Sequence, residues 1–218
     1  RNYLVWIHCW SGDGLMTSST KLIQAASGVG GDTDFYPYTV DNSCRFNDND
    51  SAQLAFTPSG AGNRKTWTYS VWIKRGALGT RQVLFGSCPS TASDNDTWLT
   101  CEINVTTNTA RIAGWNTSWK ITNAAFIDAS AWYHLVFVFD TTEGTGADRS
   151  AIYINGVEAS YSATASPTED GDYAVNDTKY HTIGSRQTYS ADSYFDGYMS
   201  QACFIDGQAL TPSSFGES

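Results

Sequence analysis

The chain has 218 residues, a formal net charge of −9 and 13 lysines and arginines with no basic run of five or more. A nucleic-acid partner is therefore not expected, because neutralising phosphates takes clustered positive charge. No apolar run approaches the roughly 20 residues that span a bilayer, so no membrane insertion is expected either. Thr, Ser, Gly, Asn and Asp abound and aromatics make up 14%, a composition of strands joined by turns in one all-β domain.

In chain order, residues 1–31 lack strand alternation. They read as an N-terminal arm or linker, with Tyr3, Leu4, Val5, Trp6 and Ile7 as an apolar anchor on a neighbouring subunit. The alternative is a terminal strand added to the domain's own sheet. The domain itself is expected over 32–218. Cys44–Phe46 and Ala52–Phe56 read as a first strand pair, bent at Asn47-Asp48-Asn49-Asp50. Thr66–Arg75 alternates strongly, with Trp67, Tyr69, Val71 and Ile73 on one face and Trp72 interrupting a polar one. Arg81–Gly86, Trp98–Val105 and Thr109–Trp115 follow as strands, and Trp119–Thr122 continues the sheet.

Trp132–Asp140 is apolar on both faces, the mark of a strand covered on both sides. A polar connector leads to Arg149–Ile154. Asn155-Gly156 then suits a two-residue turn in which both residues take positive φ. Tyr161–Asp177 is a long polar loop, Lys179–Gly184 a strand and Ser185–Ser193 a further loop. Phe195–Ile205 is the closing strand, and Pro212–Phe215 a short helical turn capped by Thr211. No long helix is expected, and the fold class is an antiparallel β-sandwich.

Three stretches carry a family resemblance. WYHLVFVFD, a polar gap and IYINGV resemble the core of laminin-G-like domains of the concanavalin A-like jelly roll. The opening, SCRFNDNDSAQLAFTPSGAGNRKTWTYSVWIKRG, and the close, FDGYMSQACFIDGQALTPSSFGE, resemble structural proteins of tailed phages, especially marine ones. The resemblance implies a phage virion surface protein whose lectin-like domain binds host-cell glycans for adhesion. It also implies other virion proteins as partners and a homo-oligomer. Two other roles stay open: a decoration or structural protein binding only virion components, and an extracellular glycan hydrolase. The resemblance places Cys44 and Cys203 in paired first and last strands. Five cysteines without a C-x-x-C spacing argue against zinc. Cys88 and Cys101 flank a polar loop that a disulfide would close, but free thiols are favoured, because a phage protein folds in a reducing cytoplasm.

Candidate chemistry follows from residue types. Related glucanases resemble E-x-D-x-x-E on one strand, which aims carboxylates into one cleft. This chain has no such pattern, since Glu102 is followed by Ile103 and Asn104. His8, His134 and His181 sit in no nucleophile motif, and no catalytic residue is assigned. Sugars are held by aromatic faces beside planar polar groups. Trp98, Trp115, Trp119 and Tyr189, with Asn116 and Arg186, are the candidate carbohydrate contacts. Ca²⁺ is the candidate cofactor, because it takes oxygen ligands. Asp48 and Asp50 in one bend, and Asp170 and Asp172 in another, are the candidate metal ligands. Ordinary turn chemistry is the favoured account of such acids, because Asp and Asn suit turns in any case.

Overall fold

The computed structural model describes residues 42–88, 98–163, 165–187 and 191–215, with backbone alone at 187, 191 and 192. The arm read over 1–31 lies outside the described residues.

Fifteen strands follow one another among the described residues. They are β1 (Cys44–Phe46), β2 (Leu54–Phe56), β3 (Thr66–Arg75), β4 (Gln82–Ser87), β5 (Leu99–Ile103), β6 (Thr109–Gly114), β7 (Thr117–Ala125) and β8 (Tyr133–Asp140). Then come β9 (Ser150–Ile154), β10 (Val157–Glu158), β11 (Tyr161–Ala163), β12 (His181–Ile183), β13 (Arg186–Gln187), β14 (Ala191–Asp192) and β15 (Gly197–Asp206). Two antiparallel sheets form a sandwich. One has the order β1-β15-β3-β8-β9-β10, the other β11-β7-β6-β5-β4-β12-β2, and β13-β14 is a separate hairpin. The all-β sandwich expected from alternation and turn residues is the fold observed.

Period two decides which residues fill the space between the sheets. From β3 come Trp67, Tyr69, Val71 and Ile73, and from β8 Leu135, Phe137 and Phe139. Leu84 and Phe85 of β4, Leu99, Cys101 and Ile103 of β5, and Ala110 and Ile112 of β6 meet them from the other sheet. Rings stack within and between the sheets: Trp67 on its β8 partner Phe139 at 5.2 Å, and Tyr69 on Phe85 of the opposite sheet at 4.6 Å.

The β8 strand has Thr68, Ser70 and Trp72 of β3 beside it on its outer face, with His134 stacked on Trp72. That face is covered because the C-terminal segment runs across it. Thr68 Oγ1 donates to Gln208 O at 2.7 Å and accepts from Leu210 N at 2.8 Å. Phe215 meets His134 edge-on at 6.5 Å. Asn155 and Gly156 turn β9 into β10 with φ of 48° and 84°, as the dipeptide required.

Three expectations change. Cys44–Phe46 and Leu54–Phe56 are not partners: β1 pairs with β15 and β2 with β12, in different sheets. The bend between them is a 3₁₀ turn over Asp48–Asp50 that carries the chain from one layer to the other. The Ser185–Ser193 loop contains the β13–β14 hairpin, which Val83 N ties to β4 by donating to Ser193 O. Cys88, Cys101 and Cys203 are buried thiols outside any disulfide, so no bridge closes the 88–101 loop. Cys44 is disulfide-bonded, against the free-thiol expectation.

Candidate functional site

The seven-stranded sheet turns Leu99, Cys101 and Ile103 inward, so Thr100 and Glu102 point to its outer face. There Glu102 is 0% exposed. Its register partners are Val83 on β4 and Arg111 on β6. Burying a carboxylate requires partners for both charge and lone pairs. Arg81 Nε donates to Glu102 Oε1 at 3.0 Å, Arg111 donates to the same oxygen, and Thr100 Oγ1 donates to Oε2 at 2.9 Å. Arg111 also reaches Ser118 Oγ on β7 at 3.4 Å. A polar strut thus crosses β5, β6 and β7 and holds two guanidiniums at fixed positions.

Trp98 immediately precedes β5 and points outward, opposite in parity to Leu99. It is 5% exposed. The Arg81 and Arg186 guanidinium carbons lie 5.9 and 5.2 Å from its ring centroid, within the range of cation–π attraction. Trp115 stands 5.6 Å away at 58° and is 43% exposed. It belongs to the Trp115-Asn116 turn, where Asn116 takes a φ of 52° and is exposed. The Trp98 Nε1–H is buried and meets no acceptor among the described residues.

Trp98, Trp115, Asn116 and Arg186 are therefore gathered at one end of the β5–β6–β7 face. Trp119 is not with them. It is 5% exposed in the core, packed on Phe139 at 5.6 Å and edge-on to Tyr173 at 4.9 Å. A register shift between Ile112 and Ala113 places Ser118 opposite Ala113 but Lys120 opposite Ile112. The extra residue of such a bulge resets the alternation. Tyr189 lies outside the described residues. The Arg81–Glu102–Arg111 group escaped the sequence reading, although Glu102 and Arg111 occupy the polar positions of two alternating segments joined by a short turn.

Asp48 and Asp50 lie in the 3₁₀ turn after β1, and Asp170 and Asp172 in the connection from β11 to β12. Asp50 accepts from Asn47 Nδ2 at 2.6 Å within its own turn, and Asp48 lies in that same 3₁₀ turn. Asp170 pairs with Lys65 at 3.1 Å, and Asp172 is exposed. Among the described residues no three His, Cys, Asp or Glu side chains are arranged to hold a metal ion.

His134 and His181 are buried and neutral in character. Desolvation lowers each from 6.5 to about 4. His134 Nε2 lies 2.8 Å from Ser70 Oγ. His181 Nε2 accepts from Asn176 N at 2.8 Å, and Nδ1 donates to Lys179 O at 2.8 Å. Both pack on aromatic rings, His134 on Trp72 and His181 on Phe56.

Residues 46–214 match the family model for the concanavalin A-like lectin/glucanases superfamily. The chain belongs to this superfamily. No curated protein sequence matches it. Among solved structures, it is similar to the CBM40 domain of the Ruminococcus gnavus IT-sialidase bound to alpha2,3 sialyllactose. Identity there is 11% and the TM-score 0.52, covering 75% of this chain and 95% of that one. A SAP-like pentraxin from Limulus polyphemus gives 16% and 0.53, covering 74% and 72%. A putative carbohydrate binding protein from Bacteroides ovatus gives 16% and 0.56, covering 81% and 46%. At these identities the superfamily member shares a fold with them, and function rests on its own residues.

Proposed function

We propose that this superfamily member is a non-catalytic glycan-binding module. Its contact surface is the Trp115–Trp98 pair with Asn116, Arg186 and Arg81 on the outer face of the seven-stranded sheet. One observation carries the reading: Trp115 is a large ring left 43% exposed, yet braced on a buried Trp. A braced aromatic face suits the C–H patch of a pyranose ring and loses little entropy on binding. The solved structures named above, a sialyllactose-bound module and a putative carbohydrate binding protein, support the class.

Hydrolysis is disfavoured by the same face. Most glycoside hydrolases use two carboxyl groups about 5–10 Å apart. Glu102 has Val83, Thr100 and Arg111 as same-face neighbours, and both its oxygens are engaged. In its finer form, resting on the phage resemblance of Ser43–Gly76 and Phe195–Glu217, the module sits on the virion surface and adheres to host glycans.

Screening the protein and its Trp115→Ala variant on host envelope polysaccharides tests this. Retention by the parent protein with at least tenfold loss in the variant is expected. Silence on every polysaccharide, with tight binding to purified capsids, would replace adhesion with a decoration role.

A further inference from the structure

His181 holds a neighbouring segment with a hydrogen bond that only one protonation state can make. It opens β12 and is 1% exposed. Its Nε2 lies 2.8 Å from the Asn176 backbone nitrogen. A backbone N–H can only donate, so Nε2 is the bare nitrogen of a neutral ring. The ring proton is therefore on Nδ1, which donates to Lys179 O at 2.8 Å. Both nitrogens of the neutral imidazole are used, one as acceptor and one as donor.

Asn176 belongs to the connection from β11 to β12, which contains no strand across residues 165–177. Tyr173, Ala174 and Val175 of that connection are buried, with Tyr173 edge-on to Trp119 and Phe139. Around Asn176, Gly62 N donates to Asn176 O at 2.9 Å and Asn176 Nδ2 donates to Asn63 O at 3.0 Å. The earlier part of the connection hangs on other groups: Arg149 Nη1 donates to Pro167 O at 3.1 Å, and Asp170 N to Thr141 O at 2.8 Å. The rings packed on His181, Phe56 of β2 and Phe85 of β4, carry no charge. The charged group acting on it is Asp177, itself paired with Arg64 at 3.4 Å.

We propose that His181 is an acid-sensitive latch: protonation turns Nε2 from acceptor to donor, sets it against the Asn176 N–H, and releases residues 173–177 from the end of the sandwich. Two donors then meet with no acceptor between them, a buried arrangement that costs more than a lost bond. Released, the ring titrates near its ordinary 6.5; in the closed form burial holds it at about 4, against the weaker pull of Lys179 O and Asp177. The closed form is fully favoured above about pH 6.5, loses ground as pH falls towards 4, and loses no more below that. The released population should rise roughly fiftyfold between pH 7 and pH 4.5, towards a limit of about 300-fold.

The test is hydrogen exchange of the full chain at pH 7 and at pH 4.5, read as protection factors so that the intrinsic pH dependence of exchange drops out. The Asn176 and Gly62 amides should lose protection roughly fiftyfold, while the Asp170 amide and those of β5 and β8 stay within about threefold. His181→Gln offers an acceptor that takes no proton, and it should abolish the loss at Asn176 and Gly62. In the parent protein, the His181 ring and the Asn176 amide resonances should titrate with one midpoint. Equal losses at Asn176, Asp170 and the sheet amides mean global unfolding and overturn the latch. Protection at Asn176 that ignores pH overturns it too, as does a loss that persists in folded His181→Gln. Should that variant not fold, separate midpoints for the ring and the Asn176 amide in the parent overturn it.

Discussion

In the proposed contact surface Trp115 and Trp98 have different tasks: the exposed outer ring is the one offered to a ligand, and the buried inner ring fixes its position. Trp115→Ala should cost no more than about 1 kcal/mol of stability, a Tm change of ~2–4 °C for a domain of this size, while abolishing glycan retention. Trp98→Ala removes a buried ring and should cost ~3–5 kcal/mol. Differential scanning calorimetry separates the two, and equal losses of Tm would undo the division of roles. Glu102→Ala makes a different prediction. It leaves Arg81 and Arg111 beside an empty buried position, which costs ~3–5 kcal/mol; a Tm within about 2 °C of the parent would show that the strut is dispensable. Trp98, Trp115 and Arg186 were legible in the sequence because they flank loops rich in polar residues. Trp119 was not, because the bulge that turns it inward leaves no mark in local alternation.

Elements with long alternating runs could be read directly. The β3, β8, β9 and β15 strands follow from apolar positions two apart and from the Asn155-Gly156 turn. Short ones could not. Three residues at β1 and at β2 hold too little periodicity to say which sheet they join, and a 3₁₀ turn between them sends them to opposite layers. The C-terminal segment was equally hidden, since its anchor is Thr68, a polar residue on the face that alternation assigns to solvent. Thr68 is fully buried because Gln208 O and Leu210 N satisfy its hydroxyl. Thr68→Val should therefore leave those backbone groups unpaired, at a cost of ~1–3 kcal/mol. Hydrogen exchange at the Leu210 amide should accelerate while core amides of β8 stay protected. Unchanged exchange at Leu210 would mean that the segment is held by other contacts.

At the scale of the whole molecule, acid sensitivity follows from the two buried histidines. Each titrates near 6.5 unfolded and near 4 folded. The unfolded chain thus binds protons that the folded one refuses. The associated stability is complete above about pH 6.5, is lost as pH falls towards 4, and declines no further below it. The span corresponds to ~3 kcal/mol per histidine. Chemical denaturation at pH 7 and at pH 4.5 should show that decline, and a flat profile would contradict it.

The central claim is that glycans meet this superfamily member at Trp98 and Trp115. Titration of a retained glycan, followed by the indole N–H resonances of the eight tryptophans, tests it most directly. The account predicts that the Trp98 and Trp115 signals shift with saturation, while those of Trp67 and Trp119 in the core stay in place. Saturable binding with Trp98 and Trp115 unmoved would contradict it.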